Sequence, residues 1–188
     1  ERINVIAGQD RPRRNAIRHA QGRGRVVDDI ALANLAHLAV ARSPHAHAEI
    51  RSIDVRRALA ISGVVAIYTG GDMKGLCKPW VGALDHFPGL RSPEQYPLAV
   101  DRVRWNGEPV VAVVAESRAI AEDAVDQIKI EYDILPAVVG IKASRAPDAP
   151  LVHPQYDSNQ SFEMTLTAGD ATAAFEAAEL VVEVVFDL

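Results

Sequence analysis

Cysteine is nearly missing from this sequence: Cys77 is the only one among 188 residues. A lone thiol cannot close an internal disulfide. That excludes a disulfide-stapled secreted scaffold, and it excludes a structural zinc site built from several cysteines. Cys77 is expected to be a small buried or half-buried side chain, because nothing near it in sequence supplies the partner that activates a nucleophilic thiol. Aromatic residues are also scarce, at 5%. None interleaves the basic cluster of Arg11, Arg13, Arg14, Arg18, Arg23 and Arg25. The net charge of −5 disfavours broad attraction to nucleic acid or to an anionic membrane, so the cluster reads as a solvated or interface segment. No apolar run approaches the ~20 residues that a membrane span requires, and no apolar leader opens the chain at Glu1. A cytoplasmic protein without a membrane span or nucleic-acid partner is the expectation.

Familiar catalytic signatures are missing as well. Gly22-Arg23-Gly24 starts like a dinucleotide fingerprint, but Val27 stands where the third glycine belongs and no apolar strand precedes it. There is no phosphate-binding P-loop pattern and no Gly-x-Ser-x-Gly elbow. The carboxylates of Asp28-Asp29 and of Glu122, Asp123 and Asp126 read as solvated faces, since a catalytic pair needs facing elements and a pocket. The sequence names no catalytic, cofactor-binding or metal-ligating residue.

What is present is the pattern of a mixed α/β domain. Residues 1–25 are polar and basic and read as an extended arm. Leu35–Arg42 reads as a strand. His45–Ile53 reads as a second one after the turn at Ser43-Pro44. Asp54 suits a helix N-cap, and Gly63 suits the residue after that helix. Val64–Tyr68 is a compact strand ending at Thr69-Gly70-Gly71. Glycine and proline punctuate residues 71–97, which read as a long irregular excursion of the kind that is functional or contacts another chain. Leu98–Trp105 and Glu108–Ala115 read as two strands joined by a type I′ hairpin turn at Asn106-Gly107. Pro109, lacking an N–H, belongs at a strand start or an edge. Ser117 can cap a helix with an apolar stripe at Ile120, Ala121, Ala124, Val125 and Ile128. Lys129–Leu135 alternates as a half-buried strand. Strand, helix and strand suggest a βαβ unit, right-handed if its strands are parallel. Residues 142–161 read as loop, Phe162–Thr167 as a strand, and Asp170 as the cap of a short helix through Ala178. The run from Glu179 to Phe186 reads as a final strand. Because the chain stops directly after it, both ends read as cut and a longer parent chain is expected.

Two turn segments attract attention as sites. Arg42-Ser43-Pro44-His45 and Trp105-Asn106-Gly107-Glu108-Pro109 combine tight turns with polar groups suited to holding a neighbouring surface in register. Arg42, His45, His47, Asn106, Gly107 and Glu108 are therefore the candidate interface residues, beside the plainer reading of turn chemistry. His45 and His47, two apart on a strand, are also compatible with two metal ligands, and His37 could approach from one strand away. A packed strand face is the simpler account of them.

At these same residues the chain resembles a known family. Gly22–Ile30 resembles the "G-x-A/G-x-Y-x-D-D-I" opening of molybdenum hydroxylase large subunits, the relatives of xanthine dehydrogenase, aldehyde oxidase and carbon monoxide dehydrogenase. Arg42–Ala48 resembles their "R-S-P-x-A-H-A". Ile53-Asp54 with Gly63–Ala66 and Thr69-Gly70 resembles "I-D-x…G-V-x-A-V-x-T-G". Gly107–Ala115 resembles "G-E-P-V-A-A-V-V-A", and Glu131–Pro136 resembles "V-x-Y-x-x-L-P". The resemblance implies an α/β hammerhead domain over residues 26–145, with 146–188 beginning the molybdenum-binding domain. It implies that the whole subunit carries molybdopterin, in bacteria often the cytosine dinucleotide. Such a subunit hydroxylates an aldehyde or N-heterocycle carbon with oxygen from water. Its electrons leave through 2Fe-2S and FAD modules on partner domains or subunits. The family's glutamate base and pterin-binding segments lie further along, so this piece is expected to be scaffold and interface, inactive alone, and prone to self-association. Two alternatives stand beside it. One is a stand-alone interaction module of the same fold without activity. The other is a small enzyme with an acid/base pair in residues 71–97.

Overall fold

The computed structural model describes residues 8, 13, 15–82, 87 and 89–186. A short helix α1 (Ala16–Ala20) and a 3-10 turn (Val27–Asp29) precede the sheets. Then come β1 (His37–Arg42), β2 (Ala48–Asp54), α2 (Arg56–Leu59), β3 (Val64–Thr69) and α3 (Gly70–Leu76). They are followed by β4 (Arg102–Val103), β5 (Pro109–Ala115), α4 (Arg118–Asp126), β6 (Lys129–Ile134), α5 (Ile141–Ser144) and α6 (Ala171–Ala177). The strands form two three-stranded sheets, ordered β1-β5-β3 and β4-β2-β6, in which neighbours run antiparallel. This is the mixed α/β architecture that the sequence implies.

β5 is the keystone of the first sheet because its sequence is Pro-Val-Val-Ala-Val-Val-Ala. β-branched side chains suit a strand enclosed on both sides. Val110, Val111 and Val113 are fully buried, and Val113 lies between Ala39 of β1 and Ile67 of β3. α4 begins where Ser117 Oγ accepts the N–H of Ile120 at 3.2 Å, which satisfies a helix-start donor. Its stripe turns onto β1 and β5, with Ala121 and Ala124 fully buried and Val125 and Ile128 packed at the margin. Pro109 starts β5, where a missing N–H costs least.

Several expectations are corrected. Asn106-Gly107 is not a hairpin turn, because β4 belongs to the second sheet and β5 to the first. Only Gly107 of the pair has positive φ, +86°, whereas a type I′ turn needs positive φ at both central residues. β5, α4 and β6 keep the order strand, helix, strand, but β5 and β6 lie in different sheets, so the unit spans the sheets instead of crossing over within one. His45 and His47 precede β2, which starts at Ala48. Residues 71–76 of the expected irregular stretch belong to the helix α3. Its start is fixed by Asp72, whose carboxylate accepts both the N–H and the hydroxyl of Thr69 at 2.7 Å, and this cap overrides the low helix propensity of the glycines. Further on, Trp80 and Gln95 exchange backbone hydrogen bonds of 2.8 and 2.9 Å. Cys77 is exposed. Part of the supposed extended arm is helical, at 16–20, while Arg11 and Arg14 lie outside the described residues. Phe162–Thr167 and residues 179–186 join no sheet. The apolar side chains of the latter, such as Leu180 and Phe186, are exposed, so no cross-strand partner turns that run into a strand.

The buried position of Val113 yields a direct check. Val113→Asp places an unpaired charge between three strands and should cost several kcal/mol, enough to unfold the domain, as read by circular dichroism. Ser117→Ala removes only the cap and should lower stability by about 1 kcal/mol in urea titration.

Candidate functional site

Of the five passages that the chain makes between the two sheets, two lie side by side. Residues 43–47 carry it from β1 to β2, and residues 104–108 carry it from β4 to β5. Neither segment can use a strand ladder there, so their backbone groups pair with each other. Gly107 donates its N–H to Ser43 O at 2.8 Å, and Ser43 donates its N–H to Glu108 O at 2.9 Å. Side chains reinforce the pair. Arg42 Nη1 donates to Gly107 O at 2.9 Å, and Asn106 Nδ2 donates to Pro44 O at 2.8 Å. The buried Ser43 hydroxyl closes the turn on itself, accepting the His45 N–H at 3.0 Å and donating to His45 O at 2.9 Å.

Glu108 is only 7% exposed, and its Oε2 accepts the backbone N–H of Arg104. Burial pushes its carboxyl above the ordinary range, against the pull of the Arg104 amide and charge. His47 is equally enclosed, and its Nδ1 lies 2.8 Å from Pro136 O. A carbonyl only accepts, so Nδ1 carries the proton. His45 sets its ring edge-on to Tyr132 of β6, with centroids 5.1 Å apart, and burial raises the Tyr132 phenol.

Arg42, Asn106, Gly107 and Glu108 thus meet in one junction, and His45 and His47 fasten its far side to β6 and the residues after it. The two imidazoles do not share a strand face: one packs on Tyr132 while the other bonds Pro136. His37 sits opposite Ala115 at the other end of β1. Among the described residues, no three His, Cys, Asp or Glu side chains gather where a metal ion could be held.

Beside the junction opens a cavity of about 600 Å³, lined by Tyr96, Arg104, Trp105, Glu108, His153 and Tyr156 among others. Desolvation lowers the His153 pKa, assisted by the nearby charges of Arg104 and His47. Arg104 and His153 were not legible as site residues. Arg104 is one arginine among many, and His153 reaches the cavity only because residues 150–160 fold back. Asn159 holds that return by accepting the Val152 N–H at 3.0 Å and donating to Pro150 O at 2.9 Å. The cavity does not fit the phosphates of a pterin dinucleotide: Glu94, Asp101 and Glu108 line it against Lys74 and Arg104, whereas a phosphate requires converging donors.

Comparison with known proteins agrees with the fold. The family described as aldehyde oxidase and xanthine dehydrogenase, a/b hammerhead domain, matches residues 21–136. The carbon monoxide dehydrogenase large chain of Afipia carboxidovorans is 38% identical over 154 residues, covering 81% of this chain and 18% of that one. Quinoline 2-oxidoreductase from Pseudomonas putida 86 superposes with a TM-score of 0.78 at 37% identity, covering 90% of this chain and 21% of that structure. A Cu,Mo-containing CO dehydrogenase gives 0.68 at 32% identity, with 92% and 23% covered. The chain spans about a fifth of the length of these relatives.

Two substitutions test the junction. A Cβ at Gly107 would meet nothing within 4 Å, so Gly107→Ala should cost the backbone penalty alone, about 1–2 kcal/mol. Glu108→Gln keeps an oxygen for the Arg104 amide and removes the titration. An acid whose folded pKa lies above its ordinary 4.5 takes up a proton on folding. Its effect is absent below that ordinary value and becomes destabilising as pH rises towards the folded one. The stability of the parent protein relative to Glu108→Gln should therefore fall as urea titrations move from pH of about 4 to about 7. A pH-independent difference would contradict a desolvated carboxyl.

Proposed function

Because this chain belongs to the aldehyde oxidase and xanthine dehydrogenase family and forms its a/b hammerhead domain, we propose that it is the scaffold and interface portion of a molybdenum-binding large subunit. The whole subunit would hydroxylate an aldehyde or N-heterocycle with oxygen from water. Its molybdopterin, in the cytosine dinucleotide form, is held by residues beyond this chain, and 2Fe-2S and FAD groups sit on partner domains or subunits in the cytoplasm. The observation that carries the reading is the junction itself. In the segments that match the family's, Arg42–Ala48 and Gly107–Ala115, Arg42 and Ser43 bond the backbone of Gly107 and Glu108 across the two sheets. That use serves shape, not substrate chemistry. No helix among the described residues is long and apolar enough to cross a membrane.

The decisive experiment grafts residues 21–136 into the carbon monoxide dehydrogenase large chain of Afipia carboxidovorans, in place of its own hammerhead region. The chimera should assemble with cofactor and retain carbon monoxide oxidation, because the grafted part supplies shape. The isolated chain, given molybdopterin and an electron-accepting dye, should give no turnover, since each step needs a ligand field, a base and an electron exit. Turnover by the isolated chain would overturn the reading. In isolation the exposed apolar run 180–186 should also drive self-association, visible as mass rising with concentration in light scattering.

A further inference from the structure

The wall of the cavity beside the junction carries polar groups that the fold leaves short of partners. The Arg104 guanidinium can donate through five N–H groups, yet among the described residues its only hydrogen bond runs from Nη1 to Arg102 O at 3.1 Å. Its nearest carboxylate, Asp101, is 3.9 Å away and mostly exposed. Nε of Arg104 and Nδ1 of His153 are both buried with no hydrogen-bond partner among the described residues. Buried polar atoms of this kind are nearly always satisfied in a finished assembly. At the rim stands Trp105, an indole left 48% exposed, with Tyr96 and Tyr156 also in the wall.

We propose that this cavity is a docking socket for a polypeptide segment from the remaining four-fifths of the large subunit, one that presents backbone carbonyl oxygens to the Arg104 guanidinium and packs against Trp105. The inference rests on the large-subunit reading above. Arginine, tryptophan and tyrosine are the residue types that concentrate binding energy at protein interfaces. A guanidinium with spare donors demands acceptors. Glu94, Asp101 and Glu108 in the same wall oppose a free anion but leave a neutral carbonyl unopposed. The relatives supply the occupant, since about four-fifths of their length lies outside the matched region.

The test joins this chain, expressed separately, to the remaining part of the carbon monoxide dehydrogenase large chain, and measures association by calorimetry. Arg104→Gln and Trp105→Ala should each weaken association about tenfold or more, while Arg57→Gln, on an exposed helix elsewhere, leaves it unchanged. Circular dichroism and thermal unfolding of each variant separate lost docking from lost fold. Acrylamide quenching of Trp105 fluorescence, in a Trp80→Phe background, should fall when the parts combine. If the parts associate and both variants bind normally, with Trp105 still quenched, the socket is overturned while the large-subunit reading stands. If the parent parts do not associate at all, the large-subunit reading itself falls. If the chain alone forms dimers that Arg104→Gln dissolves, the occupant is a second copy and the inference is overturned.

Discussion

Two reciprocal backbone hydrogen bonds, between Ser43 and the Gly107-Glu108 pair, set the terms for the rest of this domain. Successive strands alternate between the sheets, and two of the five passages, residues 43–47 and 104–108, run side by side where neither has a neighbouring strand to bond. Unpaired amides there would be buried beside Ala41, Ala48, Val103 and Val110, at a cost of a few kcal/mol each. Running the two crossings side by side lets each satisfy the other. The buried valines of β5 and the alanines of α4 can pack as they do because the sheets are held in register at this point.

That constraint also explains the chemistry of the neighbouring residues. Glu108 is buried because its backbone carbonyl is committed to Ser43, and its side chain turns back to the Arg104 amide. Its raised pKa follows from enclosure and is not by itself a mark of catalysis. His47 is locked to Pro136 by one nitrogen, while its own carbonyl accepts the Leu135 N–H at 2.9 Å. The polar groups of this region thus act as fasteners for the two passages between the sheets.

The sequence made the local elements readable where one signal dominated. The valine run of β5, the Ser117 cap with its apolar stripe, and the alternation of β6 all carry strong periodicity, and the structure keeps them. The six candidate residues were legible as turn chemistry, and Arg42, Asn106, Gly107 and Glu108 meet in one junction. What failed was tertiary. Asn106-Gly107 looks like a hairpin because local sequence carries no record of which sheet each flanking strand joins. Glycines hid α3, because the Thr69–Asp72 cap outweighs their propensity. Residues 179–186 are apolar on both faces, like a strand covered on both sides, yet strand formation needs a partner edge, and within the described residues they have none. Arg104 and His153 were invisible for the same reason, since a cavity is made by segments distant in sequence.

Native-state hydrogen exchange at the Ser43 and Gly107 amides tests the central claim most directly. If the crossing pair holds the two sheets as one unit, both amides should exchange only through global unfolding, with the same opening free energy as the amides of Val111 and Val113. Fast exchange at Ser43 and Gly107 while β5 stays protected would show that the sheets are held together without the junction, and would contradict the account.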